Sequence, residues 1–324
     1  MLKANTSDMY NASVKSAWIE DYILTHKGDN LRGQLTGFMI RFAPYEKERH
    51  ADLCTWTDMD DIRNVLSDVL SHGTVSRKRQ VELLKFYIVW CMDHGVPGAT
   101  GTLNSIEYNK VDVSSAIRRS LVSSPKQLDA YLTAVFGDEI RPNEDGARRC
   151  FAWLAYIGIP VNEATLVKCG DVRFDDMEIR YNGNAYTIYR EAIRTLRVFV
   201  NAEKMERTRG YIVDILPRAP GDLLLRGMTA TETPQDRYES LSRKLSMREV
   251  EAVKAGRTDK NMSYTDIYKS GVFYRMYEDE IAGFPVDFSV LPGLFNITTK
   301  MRNSLLFAIR KYREDYEAWK KAFM

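Results

Sequence analysis

The stretch WLAYIGIPVNEATLVKCGDV, residues 153–172, decides how the chain is to be read. Trp153 to Ile157 has the apolar density of a helix, and Gly158 is the residue that most readily takes the backbone geometry of a helix stop. Pro160 then fixes its own φ and keeps Ile159 extended, so a turn must follow before a second short helix over 162–169 and the start of a strand near Asp171. Pro160 is the residue to explain.

Downstream, DVRFDDMEIRYNGNAYTIYREA alternates apolar and polar residues around Asn182-Gly183, a dipeptide suited to a two-residue hairpin turn. It is the one convincing sheet in the sequence. Helical periodicity returns at about 190–204, 235–255, 264–282 and 297–322, with PRAPGDLLLRG as a loop between the first two. Upstream, a helix spans 145–158, and SSPKQLDAYLTAVF opens another helix with Ser124 as cap and Pro125 in the first turn.

The N-terminal part is helical throughout. Apolar stripes predict helices over Tyr10–His26 and Leu35–Ala51; a third begins at Thr57 or Asp58 in TWTDMDDIRNVLSDVL. A fourth, VSRKRQVELLKFYIVWCMDHG, follows the SHGT turn and stops at Gly95. The next residues, VPGATGTLNS, begin a linker that runs to about Ser123. The expected fold is mainly α with a small β-sheet, divided into a helical domain over 1–95, a linker over 96–123 and an α+β domain over 124–324.

Composition narrows the chemistry. A chain of 324 residues buries a full core, and a formal net charge of +2 names no partner by itself. Cys54, Cys91, Cys150 and Cys169 are far apart with no CxxC pair, which suggests neither zinc nor disulfides. No apolar run reaches about 18 residues and the first ten lack a signal-peptide pattern, so the expectation is a soluble cytoplasmic protein with no membrane and no cofactor. Phosphate-binding glycine loops and HExxH are missing, and the acids of DMDD (58–61) and Asp175-Asp176 suit a helix start and a strand end better than a metal.

The arrangement resembles the tyrosine recombinase (phage integrase) family. SRKRQVELLKFYIVWCMDHG resembles part of that family's SAM-like core-binding domain, and YIGIPVNEATLVKCGDV resembles its pattern Y-x-G-L-R-x-S-E-x-x-x-L-x-x-x-D-I. Tyr156, Gly158, Glu163, Leu166, Asp171 and Val172 fall in step, while the arginine position falls on Pro160. The resemblance implies a four-helix SAM-like domain and an integrase-like domain that together close on duplex DNA.

Family chemistry needs two arginines to neutralise the phosphodiester, and a lysine and histidines to manage protons. Proline offers neither charge nor donor. The counterpart of the H-x-x-R motif, TDIYKSGVFYRMY (265–277), places Thr265 at the histidine and Tyr268 at the arginine. The hairpin has Arg180 and Arg190 but no lysine, and all four histidines, His26, His50, His72 and His94, precede residue 95. Tyr312 or Tyr316, in KYREDYEAW, stands where the family nucleophile is expected. These departures favour a protein that holds DNA without cutting it.

The DNA contacts expected are Arg77, Lys78, Arg79 and Lys85 on the fourth helix, and Arg190, Arg194 and Arg197 after the hairpin, with phosphates supplying most of the affinity. The last helix is amphipathic through Met301, Leu305, Leu306, Ile309, Tyr312, Tyr316 and Trp319; the resemblance implies docking on a neighbouring subunit in a homo-oligomer, and docking on its own chain is the equal alternative. The expectation is therefore a catalytically inactive, integrase-like DNA-binding protein of a phage or mobile element. The alternatives are a divergent active recombinase drawing arginines from Arg148, Arg149 or Arg275, and a protein-interaction scaffold.

Overall fold

The computed structural model describes residues 5–71, 73–209, 212–228, 231–290 and 302–324, and divides into two compact units. The first comprises Met1–Ile117 with Lys320–Ala322 and Met324; the second comprises Arg118–Trp319 with Phe323. Both are mainly helical, with two small antiparallel sheets in the second.

In the first unit, α1 (Ala12–Thr25), α2 (Leu31–Ile40), α3 (Ala43–Arg49), α4 (Met59–Val69) and α5 (Thr74–Asp93) enclose Trp18, Phe38, Met39, Phe42, Leu66, Leu84, Tyr87 and Ile88. The single helix expected over Leu35–Ala51 is two. It starts earlier, at Leu31, and breaks at Arg41–Phe42, because Pro44 lacks an amide hydrogen and is tolerated only in a first turn, here that of α3. Asp58 caps α4 by accepting from the amides of Asp60 and Asp61, as its position suggested. Asp61 pairs with Arg49 and Asp60 with Arg63, so the DMDD acids are engaged in local structure. Gly95, at φ +66°, stops the chain just beyond α5.

The stretch expected as a linker is folded. Residues 96–117 carry turns at Thr102–Ser105 and Tyr108–Lys110 and the start of α6 (Ser114–Ser120), with Leu103, Ile106, Val111 and Val113 buried. Their irregular spacing fits neither helix nor strand periodicity.

The second unit is built around α8 (Glu144–Ile157), whose residues from Gly146 onward are all buried. Around it lie α7 (Pro125–Phe136), capped by Ser124, α9 (Ile193–Asn201), α10 (Pro234–Lys254) and α11 (Tyr264–Ile281). α11 crosses α8 closely: a Cβ on Gly271 would lie 1.9 Å from the Tyr156 carbonyl oxygen, which only glycine allows. The expected hairpin forms from β1 (Val172–Arg173), β2 (Glu178–Tyr181) and β3 (Asn184–Thr187), with Asn182 and Gly183 both at positive φ. It is not the only sheet. β4 (Lys204–Arg209) and β5 (Ile212–Pro217) form a second antiparallel pair where a helix end and loop were expected. Met205 is buried there, whereas Ile212, Val213 and Ile215 are exposed, so the two-sided burial that marks a strand in sequence is missing.

Within the second unit the last helix, α12 (Arg302–Phe323), is held through residues before 320: Tyr316 packs on Phe273, Trp319 donates to the Val122 carbonyl at 3.1 Å, and Lys269 of α11 binds Asp315 at 2.6 Å. Met301 lies outside the described residues.

Candidate nucleic-acid interface and the position of the missing chemistry

Around Pro160 the backbone does what the sequence suggested up to a point. Gly158, at φ +113°, ends α8 and donates to the carbonyls of Leu154 and Ala155; Ile159 also donates to Leu154. Beyond it the expected helix over 162–169 is absent. The Pro160 carbonyl instead accepts from the amides of Glu163 and Ala164, and short turns follow at Ala164–Leu166 and Cys169–Asp171. Pro160 starts this tight corner, and no guanidinium stands in its place.

The guanidinium of Arg275 lies nearby on α11. It donates to the Tyr156 carbonyl at 2.7 Å, and a Cβ on Gly158 would lie 2.6 Å from its Nη2. A cation there meets the carbonyl end of α8, where the helix dipole favours positive charge. Aromatic rings surround it: Tyr156, Tyr189 and Tyr274 pack on one another with centroids 5.5–6.3 Å apart. Tyr268, which the resemblance sets against the second arginine, is buried; burial pushes its phenol up to about 12, against the pull of Arg275. Glu163 and Glu278 act electrostatically on the same tyrosines. This corner thus holds one arginine engaged with backbone, two carboxylates and a set of phenols. Among the described residues it offers no pair of cations for a phosphodiester.

The other arginines considered for catalysis are equally engaged. Arg148 is buried and pairs with Asp145; Arg149 is buried and donates to the Gly137 carbonyl, Asp129 and Thr133. Tyr316 is 1% exposed and donates to Glu280 at 2.6 Å, and both burial and that carboxylate push its phenol up. Tyr312 is also buried, with its phenol raised by burial. Neither has the exposure or the lowered pKa of an activated nucleophile.

The basic surface divides differently from the expectation. Arg77 is only 7% exposed and its Nε donates to the Tyr108 carbonyl at 3.0 Å. It was expected among the DNA contacts, but it ties α5 to the following turn within its own unit. Lys78 and Arg79 are exposed and Lys85 is half-buried. In the second unit Arg190, Arg194 and Arg197 are all exposed. Arg190 lies in the 3-10 turn Arg190–Ala192 that leads into α9, Arg194 and Arg197 share a side of α9, and all three avoid the buried positions Ala192, Thr195, Leu196 and Phe199. Arg197 lies over the Phe174 ring at 5.2 Å. Glu206, close to this row in sequence, pairs elsewhere, with Arg141 at 3.5 Å. Among the described residues, no ion pair involves Arg190, Arg194 or Arg197.

Three further arginines escaped the sequence reading: Arg218 and Arg226, which bracket the loop PRAPGDLLLRG, and Arg237 near the start of α10. Two arginines within a Pro/Gly loop were visible in the sequence, but their meeting with Arg237 was not. A scan against protein-family models finds no match for the chain, and a search of curated proteins finds none either. Among the described residues no helix is long and apolar enough to cross a membrane.

Proposed function

We propose that the chain binds duplex DNA by its phosphates and does not cleave it, as a non-catalytic integrase-like protein of a phage or other mobile element acting in the cytoplasm. On this reading the first unit corresponds to the SAM-like core-binding domain and the second to the integrase-like domain. The observation that carries it is the arginine row Arg190, Arg194 and Arg197, exposed and free of ion pairs among the described residues. An exposed row of guanidiniums suits a phosphate backbone, whose recognition needs charge at helical spacing more than a shaped pocket. Lys78 and Arg79 supply a second, smaller basic surface on the first unit.

The test has two arms. Fluorescence anisotropy on a random-sequence duplex should show binding that weakens steeply with salt, and a nicked suicide duplex should yield no covalent protein–DNA adduct. Absence of binding at low salt would replace this reading with the protein-interaction scaffold. An adduct that disappears in Tyr312→Phe or Tyr316→Phe would instead establish an active recombinase.

A further inference from the structure

A cavity of about 170 Å³ opens in the second unit between the loop over 219–227 and the start of α10. A cavity of about 150 Å³ accepts a six-carbon ring, so this one has room for an oxyanion and a few attached atoms. Its lining includes Thr165, Gly221, Arg226, Glu232, Thr233 and Arg237.

The donors around it are incompletely used. Arg237 is 4% exposed; its Nε donates to the Leu225 carbonyl at 2.8 Å and its Nη1 to both oxygens of Glu144, yet its buried Nη2 has no hydrogen-bond partner. Arg226 donates through Nη1 to the Leu223 carbonyl at 2.9 Å and to Cys169 Sγ at 3.5 Å, while its buried Nε likewise has none. Behind the loop Arg218 is buried and donates only to carbonyls, those of Phe199, Ala202, Leu224 and Arg226. Burial, and then the charge of Arg226, lower it to about 10. Three guanidiniums are thus gathered here, and an unpartnered N–H on a buried cation is costly unless a ligand completes it.

Three carboxylates stand among these guanidiniums, but none accepts from the unpartnered Arg226 Nε or Arg237 Nη2. Glu144 is shared between Arg237 and Arg148, Asp222 is held by Lys168 at 2.9 Å, and Glu232 stands 3.8 Å from Arg237 Nη1. Thr233, the cap of α10, brings the positive end of a 21-residue helix to the wall, although Asp236 already occupies part of that cap. Gly221, at φ +129°, takes a geometry disfavoured for other residues and brings bare backbone to the same wall.

We propose that this cavity binds a small phosphate group, completing the hydrogen bonding of Arg226 and Arg237. The chemistry is shared by free phosphate and by a phosphate monoester on a metabolite-sized molecule. It is independent of the DNA reading, since the site belongs to the loop and α10 and uses none of Arg190, Arg194 or Arg197.

Isothermal titration of the full chain, without DNA and at constant ionic strength, should show saturable binding of inorganic phosphate. Ribose 5-phosphate forms the second arm: tighter binding assigns the site to a monoester, equal binding to the free anion. Arg226→Met should weaken binding by about tenfold, the loss of one charge-assisted hydrogen bond. Glu232→Gln removes the opposing carboxylate and should strengthen binding, which keeps the proposal testable if the arginine variant folds poorly by circular dichroism. Lack of saturation by either ligand, or unchanged affinity in Glu232→Gln, would overturn the proposal.

Discussion

The two basic segments, the start of α5 and the arginine row that leads into α9, contain the same number of candidate cations in the sequence and behave differently in the structure. Arg77, Lys78 and Arg79 are consecutive, so the helix rotates them roughly 100° apart and they cannot share a face. Arg77 falls on the stripe that continues as Val81, Leu84, Ile88 and Cys91, all buried, and it is carried inward with them. Arg190, Arg194 and Arg197 avoid the buried positions Ala192, Thr195, Leu196 and Phe199 and stay outward together. Spacing, and not the number of cations, decides which segment presents a charged surface.

The strongest way to break this comparison is to remove the row. The triple variant Arg190→Ala, Arg194→Ala, Arg197→Ala should flatten the slope of log affinity against log salt by about 2.7, each lost phosphate contact contributing about 0.9. Its circular dichroism should stay that of the wild type, because the buried side of α9 is untouched. An unchanged slope would remove α9 from the interface and leave only the smaller basic surface of α5.

Buried carboxyls sharpen the contrast between the units. Glu46 in the first unit is bonded to Lys15 and still raised to about 7 by burial; Glu249 in the second is raised to about 7 by burial with the Met262 amide, 2.7 Å away, and the Tyr131 hydroxyl as partners and no cation. For a carboxyl whose pKa is higher folded than unfolded, the associated stability is fully present below the unfolded value near 4.5 and is lost as pH rises through about 7. At pH 8.5 ionised Glu249 should therefore cost about 3 kcal/mol relative to pH 4.5. Glu249→Gln should remove most of that pH dependence in urea midpoints, whereas Lys15→Met should destabilise the first unit by leaving Glu46 without its cation. A Gln variant as pH-sensitive as the wild type would show that Glu249 is not the titrating group.

A third comparison separates the members of the α5 triplet. Lys78→Ala with Arg79→Ala should flatten the salt slope by about 1.8 and leave stability unchanged. Arg77→Ala should do the opposite, lowering stability by about 1–3 kcal/mol through loss of a buried hydrogen bond while leaving the slope as it was. If Arg77→Ala flattens the slope as much as either neighbour, the inward placement does not describe the protein in solution.

What could be read from sequence was local. The Asp58 and Ser124 caps, the Gly95 stop and the Asn182-Gly183 turn each follow from one residue's bonding or backbone preference. Pro44 carried the break between α2 and α3, but the continuous apolar stripe on either side outweighed it in the reading. The β4–β5 pair was hidden because Ile212, Val213 and Ile215 lie exposed together, and periodicity detects burial rather than pairing. At the candidate interface, the inward turn of Arg77 was legible in its register with Val81 and Leu84. The meeting of Arg218, Arg226 and Arg237 was not, because it depends on how a loop folds back on a helix start.

Pro160 gives the smallest expected effect and separates a role in the turn from a role in binding. Its carbonyl anchors the turn to Glu163 and Ala164, a bond alanine can make equally well, while its ring restricts the unfolded chain and keeps Ile159 extended. Pro160→Ala should then lower stability by roughly 0.5–1 kcal/mol, seen as a shifted denaturation midpoint, with DNA affinity intact. Pro160→Arg should create no cleavage of a suicide duplex, because Tyr268 and Tyr316 are buried and Tyr316 is bonded to Glu280. A large loss of affinity in Pro160→Ala without a stability change would place this corner on the DNA, and would make α9 only one part of a surface that reaches the α8 C-terminus.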